Sequence, residues 1–120
     1  MVQDHGVGPD VLVTASNYVD SLRTLNRFGE AKTLLRKTIP VARRILGESD
    51  QTTLTMRLNY AQSLCQDDDA TLDDIREAVA ICEDVDRRAR RVLGIAHPLA
   101  KDASGSLERA RYDLANFKPK

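Results

Sequence analysis

Apolar residues recur along the chain at intervals of three and four residues, the spacing that places them on one face of an α-helix. No stretch alternates apolar and polar residues over the length of a strand, so the pattern predicts an all-α fold without a sheet. The predicted helices span about 9–26, 27–46, 51–65, 72–93 and 98–117.

Prolines and glycines mark the ends of these predicted helices. Pro9 and Pro98 stand where a first helical residue would lie, a position at which the missing N–H costs nothing. Gly47 and Gly94 each follow an aliphatic pair and predict a helix C-terminus, because glycine adopts a left-handed conformation without strain.

The second and fourth helices carry further signals. Thr71 and Asp74 predict a capping box at the start of the fourth helix. Pro40 lies inside the second helix, where proline removes a backbone hydrogen bond and clashes with the preceding turn. We therefore expect a kink or an early break near Ile39.

Segments of the chain repeat at a nearly constant distance. The Asn-Tyr pair at 17–18 recurs at 59–60, an offset of 42, and the segment 44–47 recurs as 91–94, an offset of 47. The difference predicts about five extra residues in the second unit, which we assign to the acidic loop 66–70. The chain is therefore predicted to hold a helix pair twice, followed by the first helix of a third pair.

Each unit carries the same three motifs in the same order. They lie at 17–19, 26–31 and 45–47 in the first unit, and at 59–61, 73–78 and 92–94 in the second, where His-Pro follows. In this order and spacing the motifs resemble tetratricopeptide repeats of the kinesin-light-chain type, over about residues 8–117. Asn26 and Asp73 stand where that family has a glycine in the turn between helices, and both residue types tolerate turn conformations.

The resemblance implies a short right-handed superhelical stack of antiparallel helix pairs, closed by a terminal capping helix. It divides the chain into a flexible N-terminus at 1–8, a first repeat at 9–48, a second repeat at 49–95 with the insertion at 66–70, a partial repeat or capping helix at 96–117, and a tail at 118–120. It also implies a non-catalytic scaffold or adaptor that binds a peptide or helix of another protein. The concave face, lined by the first helix of each pair, would receive this partner.

Equivalent asparagines on the first helices are the leading candidates for partner contact. An asparagine amide both donates and accepts hydrogen bonds, so it can hold a peptide backbone, or it can instead join neighbouring repeats. The candidate residues on this face are Asn17, Asn59, Arg57 and Lys101. Members of the resembled family that clamp a terminal carboxylate have a Lys one turn before each asparagine. Val13 and Thr55 occupy those places here, so we expect no such clamp.

Two other surfaces offer alternatives. A basic run on the fourth helix is either a solvated face or a patch for an acidic partner; it consists of Arg87, Arg88, Arg90 and Arg91. An apolar stripe on the last helix would instead pack against another copy, making the protein a self-associating helical bundle, a homodimer or a subunit of a larger assembly. This stripe consists of Leu99, Leu107, Leu114 and Phe117.

Composition narrows the function classes. The chain has 18 Lys and Arg residues and 18 Asp and Glu residues, so it has no net charge. Nucleic-acid binding normally needs an excess of basic residues, and we therefore expect no nucleic-acid partner. The two cysteines lack CxxC spacing and no apolar run reaches the length of a membrane span, so we expect a cytoplasmic protein without membrane insertion. The acidic run 67–69 lacks the ligand spacing of a calcium loop. No catalytic, metal or cofactor motif is present, and we predict no enzymatic activity and no cofactor.

Overall fold

The computed structural model describes residues 8–118, and this range contains five α-helices and no strand. They are α1 (Pro9–Thr24), α2 (Phe28–Leu46), α3 (Gln51–Gln66), α4 (Leu72–Leu93) and α5 (Pro98–Ala115). The prediction of an all-α fold is confirmed. The predicted flexible N-terminus at 1–8 and tail at 118–120 fall outside the described residues except at Gly8 and Lys118.

The helices pack in two layers. Each helix contacts the next along the chain, and in addition α1 contacts α3 and α3 contacts α5. The three first helices of the predicted pairs therefore form one layer, and the second helices, α2 and α4, pack behind it. Short connections force successive helices to run antiparallel, as the helix-pair repeat requires.

The two pairs end in the same way. Gly47 and Gly94 follow α2 and α4 with φ angles of 99° and 91°, which are strained for any residue with a side chain. Each glycine donates its N–H to the carbonyl of the residue four positions earlier, Arg43 or Arg90, at 3.1 Å. The repeat offset of 47 is therefore present in the backbone conformation as well as in the sequence.

The helix that follows each glycine starts with a side-chain cap. The Asp50 carboxylate accepts a hydrogen bond from the Thr52 N–H at 2.9 Å. His97 stands 47 residues later, and its Nδ1 accepts from the Leu99 N–H at 3.0 Å. Each cap satisfies a donor that the first helical turn leaves without an intrahelical partner.

The five extra residues of the second unit do not all lie in the acidic loop. Helices α1 and α3 both have 16 residues, but α4 has 22 where α2 has 19, so three of the five lengthen α4 and two lengthen the loop. The capping box of Thr71 and Asp74 fixes the earlier start of α4, as predicted. Asn26 adopts a left-handed φ of 59° in the first turn, whereas Asp73 lies inside the first turn of α4, so its assignment to the turn between helices is wrong.

Two apolar clusters form the core, and α3 contributes to both. The first joins α1 and α2 and contains Leu12, Val19, Leu22, Ala31, Leu35, Ile39, Ala42 and Met56. The second joins α3, α4 and α5 and contains Leu54, Leu58, Ala61, Leu64, Ala78, Cys82, Val85, Ala89, Leu99, Ala100, Ala103 and Leu107. Tyr60 packs against both clusters, so the two repeats are joined through the middle of α3.

Helix α2 continues past Pro40 to Leu46, so the early break expected near Ile39 does not occur. Pro40 is exposed, while Ile39 and Ala42 on either side of it are buried. The proline therefore lies on an exposed part of α2. Burial of the neighbouring apolar residues holds the helix together across the lost bond.

Candidate partner-binding groove

Each first helix carries a polar stripe at positions i, i+3 and i+7, which lie on one helix face. The stripes are related by the same offsets of 42 and 47 that relate the repeats. They consist of Asn17, Asp20 and Thr24 on α1, of Asn59, Gln62 and Gln66 on α3, and of Ser106, Arg109 and Asp113 on α5.

A cavity of about 850 Å³ opens where these stripes come together at the C-terminal ends of α1 and α3. Its walls come from α1, α3, α5, the turn before α2 with the first residue of that helix, and the acidic loop. The lining residues are Asp20, Arg23, Thr24, Asn26, Phe28, Cys65, Gln66, Asp67, Asp68, Asp69 and Arg109. We call this cavity, together with the three polar stripes, the groove.

Arg23 joins α1 to α3 at the bottom of the groove. Its Nη1 donates to Asn59 Oδ1 at 3.1 Å and, more weakly, to Asp20 Oδ1 at 3.4 Å, and its Nη2 donates to Gln66 Oε1 at 3.4 Å. Burial lowers the pKa of Arg23, and the nearby charges of Asp20 and Asp102 act in the opposite direction. The guanidinium Nε is buried and, in the described part of the chain, has no hydrogen-bond partner.

Gln62 joins α3 to α5 on the other side of the groove. Its Nε2 donates to Ser106 Oγ at 2.7 Å and makes a long contact with Asp102 Oδ1 at 3.5 Å. Arg109 donates from Nε to Asp113 Oδ1 at 3.2 Å along α5. The polar stripes are therefore connected across all three helices, so the surface of the groove is ordered without a bound partner.

The acidic loop is attached to α2 at the edge of the groove. Lys32 Nζ lies 2.9 Å from Asp67 Oδ2, and this pair is mostly shielded from solvent. Asp67 Oδ1 also accepts a hydrogen bond from the Asp69 N–H at 3.0 Å. These contacts hold the loop so that Asp68 and Asp69 are exposed beside the cavity.

The two candidate asparagines occupy the groove side of their helices. Asn17 is exposed and lies two helical turns before Thr24, on the same face. Asn59 is only 7% exposed, and its Oδ1 is the acceptor of the bond from Arg23. Asn59 therefore forms a hydrogen bond between neighbouring repeats. This was the alternative to partner contact in the sequence analysis.

Arg57 and Lys101 do not face the groove, contrary to expectation. Arg57 precedes Gln66 by nine residues, which is two and a half turns, so it points to the opposite side of α3. It is 9% exposed and pairs with Asp84 of α4. Lys101 lines a separate hollow between α4 and α5, together with Arg90 and Glu108.

On the side of α3 away from the groove, α2 and α4 flank a cleft of about 260 Å³. Arg36 and Arg43 of α2 line it together with Glu77 of α4, and Arg57 and Tyr60 form its floor. The Arg36 guanidinium donates to the Tyr60 hydroxyl at 3.1 Å and lies 5.7 Å from the ring centroid. This face therefore carries more arginine than carboxylate.

The basic run on α4 is largely neutralised within the chain. Asp84 accepts hydrogen bonds from Arg57, Arg87 and Arg88. Asp86 pairs with Arg90 at 3.0 Å. Of the four arginines in the run, three thus have a carboxylate partner, while Arg91 is exposed.

The apolar stripe on the last helix is not a free surface. Leu99 and Leu107 are each 8% exposed and belong to the second core cluster. Leu114 and Phe117 are half-buried. The expectation that these four residues await another copy is wrong for Leu99 and Leu107, because α3 and α4 already cover them.

Neither Cys65 nor Cys82 is activated as a thiolate. Burial raises the pKa of Cys65 to about 11 and that of Cys82 to about 12, so both are thiols at neutral pH and poor nucleophiles. Within residues 8–118, no three His, Cys, Asp or Glu side chains come together as metal ligands. No helix in this range is both long and apolar enough to cross a membrane.

Residues 11–52 match the family model of the tetratricopeptide repeat. The chain contains a tetratricopeptide repeat. The match covers α1, α2 and the start of α3, and the second helix pair has the same glycine and cap geometry as the first. The kinesin-light-chain subtype stays a prediction. No curated protein and no solved structure is significantly similar to the chain.

Sequence reasoning missed most of the residues that line the groove. Gln62, Gln66, Ser106 and Arg109 follow from Asn59 by helical spacing and by the repeat offset of 47, so the repeat itself could have identified them. Arg23 lies outside the stripes, and its long side chain reaches the groove from a neighbouring position. Only the packing of α1 on α3 shows that it does so.

Proposed function

We propose that the groove binds an extended segment of another protein and that the chain acts as a non-catalytic scaffold or adaptor. Tetratricopeptide repeats generally mediate protein–protein interaction, and the family is typically a scaffold rather than an enzyme. The observation that carries the proposal is the cavity of about 850 Å³ at the junction of the three first helices, lined by polar side chains in equivalent positions.

The chemistry of the groove suits a polypeptide backbone. Amide side chains both donate and accept hydrogen bonds, and Asn17 and Gln66 present such groups at its surface, where both residues are exposed. The hydrogen bond from Arg23 uses only the Oδ1 of Asn59 and leaves the Nδ2 donor outside that bond. Because hydrogen bonds from Arg23 already order Asn59 and Gln66, a bound segment would lose little further entropy in fixing these two side chains.

A pair of matched threonines allows this proposal to be tested without a known partner. Thr24 and Thr33 are both exposed, and each donates its hydroxyl to the carbonyl four residues earlier, at 3.0 and 2.9 Å. Thr24 lines the groove, whereas Thr33 lies on α2 outside it. Thr24→Tyr should fill part of the cavity, and Thr33→Tyr adds the same side chain elsewhere.

The experiment is selection of a displayed random peptide library on the unmodified protein, followed by binding of the enriched peptides to both variants. We expect the selected peptides to lose at least about tenfold in affinity for Thr24→Tyr, since a filled cavity excludes them, and to bind Thr33→Tyr normally. Peptides that bind both variants equally well would place the interaction outside the groove and contradict the proposal. Circular dichroism of both variants controls for folding.

A further inference from the structure

Carboxylates outnumber cations in the walls of the groove. The cavity lining includes four aspartates, Asp20, Asp67, Asp68 and Asp69, against two arginines, Arg23 and Arg109. Asp102 on α5 adds a further carboxylate, close enough to Arg23 to act on its ionisation. The chain as a whole is neutral, so this excess is a property of the groove and not of the protein.

The cations of this region already have partners. Arg23 is largely buried and is hydrogen-bonded to Asn59 and Gln66. Arg109 pairs with Asp113, and Lys32 at the edge pairs with Asp67. Each of these cations offsets one carboxylate, so the excess of carboxylates in the groove remains, and a molecule entering it meets a negative potential.

Three of these carboxylates are exposed, with Asp20 and Asp68 in the walls of the cavity and Asp102 beside it. Asp20 belongs to α1, Asp68 to the acidic loop and Asp102 to α5. The side chain of Asp20 is 73% exposed even though it contacts Arg23. A cationic group placed between these walls would meet carboxylates from several directions, an arrangement that favours positive charge more than a single ion pair does.

Apolar surface accompanies these charges. Phe28 and Cys65 are half-buried and line the same cavity. Lysine and arginine have long apolar stems below a charged end, so a stem can cover such surface while the charge reaches the carboxylates. An acidic segment would have neither advantage, since its short side chains would meet like charge at the rim.

We infer that the groove selects segments rich in lysine and arginine from its partner proteins. This inference rests on the proposed function and adds the chemical class of the segment. Electrostatic complementarity of this kind sets specificity and the rate of association more than it sets the total affinity. Because salt screens these charges, we expect the binding of basic segments to weaken strongly as the salt concentration rises.

The test uses three fluorescently labelled peptides of about ten residues, long enough at about 3.3 Å per residue to span the groove. One alternates Lys and Arg with Gly and Ser, the second replaces the basic residues by Asp and Glu, and the third by Gln. Fluorescence anisotropy with the full chain should show the basic peptide binding at least about tenfold more tightly than either other peptide. Raising the salt from about 50 to about 500 mM should weaken it at least about tenfold.

Two triple variants separate the groove from the overall charge. Asp20→Asn with Asp68→Asn and Asp102→Asn removes two carboxylates that line the cavity and one beside it. Glu48→Gln with Glu77→Gln and Glu108→Gln removes three exposed carboxylates outside the groove lining and gives the same net charge. The first variant should weaken binding of the basic peptide about tenfold, and the second should leave it within about twofold.

The other outcomes are distinguishable. Equal losses in both variants, or tighter binding of the acidic or the neutral peptide, would overturn the inference. If the acidic or the neutral peptide binds more tightly and Thr24→Tyr abolishes this binding, the proposed function stands although the inference about basic segments fails. If no peptide binds the unmodified protein under either salt condition, while the library selection also yields none that is sensitive to Thr24→Tyr, the proposed function fails and the inference fails with it.

Discussion

Asp84 lies outside the groove and pairs with several arginines. It accepts hydrogen bonds from Arg57, Arg87 and Arg88, and Arg57 is almost fully buried. Burial alone would raise the pKa of Asp84, but the hydrogen bonds and charges of Arg57 and Arg88 hold it below its usual range. A run of basic residues that suggests a binding patch in the sequence is thus, in part, a structural ion-pair network.

Asp84→Asn should destabilise the protein by about 2 kcal/mol at neutral pH, because it leaves Arg57 buried without its counter-ion. Urea unfolding followed by circular dichroism measures this loss. The control is Asp73→Asn, which removes a carboxylate that is 92% exposed in its pair with Arg76 and should leave the midpoint unchanged. Equal effects of the two substitutions would mean that Asp84 contributes nothing beyond a surface ion pair.

The dependence on pH follows from the direction of the Asp84 shift. A carboxyl group whose pKa is lower in the folded state adds stability that is fully present above its unfolded pKa of about 3.9. That stability is lost as the pH falls through the lower folded value. The difference between the unmodified protein and Asp84→Asn should therefore be constant near neutrality and shrink below about pH 4.

Individual residue positions were only partly predictable from sequence. The common helix face of Asn17 and Asn59 follows from the repeat offset of 42. The expected place of Arg57 beside them is wrong, because two residues of displacement from Asn59 rotate a side chain by more than half a turn. The direction of such a residue depends on which neighbouring helix covers it, and periodicity alone does not supply that information.

At the scale of the helix, α2 tolerates a proline in its interior. Pro40 cannot donate a hydrogen bond to the preceding turn, yet α2 remains helical from Phe28 to Leu46. The cost of the missing bond is therefore carried by the packing of Leu35, Ile39 and Ala42. This makes Pro40 a position at which the native sequence is not the most stable one.

Pro40→Ala should stabilise the protein by about 1–3 kcal/mol, because it restores a backbone donor and removes the clash with the preceding turn. The gain is reduced somewhat by the greater freedom of the unfolded chain. Thermal unfolding followed by circular dichroism checks the direction. Pro98→Ala is the matched control: Pro98 is at the first position of α5, where no donor is missing, so the substitution should bring no gain.

The helix boundaries were the most predictable elements, since Pro9, Pro98, Gly47 and Gly94 mark them directly. The placement of the insertion was not. The aligned motifs put Asp73 in the turn between helices, whereas the Thr71 cap puts it inside α4. The helix starts at the cap because the Thr71 side chain satisfies a backbone donor there, which stabilises the helix end. The alignment of motifs records sequence similarity and contains no such energetic contribution.

At the scale of the whole molecule, α3 makes the two repeats one unit. Met56 belongs to the first cluster, Leu58 to the second, and Tyr60 packs against both. Loss of either cluster would therefore remove a face of the same helix. We expect the chain to unfold as a single cooperative unit and not repeat by repeat.

The rate of thiol labelling at Cys82 tests this expectation. The protein also carries Cys65→Ser, so that Cys82 is the only thiol that can be labelled. Leu35→Ala removes a fully buried side chain from the first cluster and should cost about 3 kcal/mol. Since Cys82 lies in the second cluster, cooperative unfolding predicts that its labelling rate rises about a hundredfold.

The control for this experiment is Leu25→Ala, which removes the same atoms from a side chain that is 64% exposed and should leave the labelling rate unchanged. A Cys82 rate that does not respond to Leu35→Ala, despite the loss of stability in α1 and α2, would mean that the two repeats open independently.

The acidic groove has a consequence for how this neutral molecule moves toward others. Carboxylates outnumber cations in the groove lining, and because the chain has no net charge, the rest of the molecule carries the matching positive excess. A molecule with no net charge but with oppositely charged faces has a permanent dipole moment. At a distance, a charged neighbour therefore rotates the molecule more than it attracts it. A cationic body within about one Debye length would turn the groove toward itself, and the orientation needed for productive collision would be established during approach.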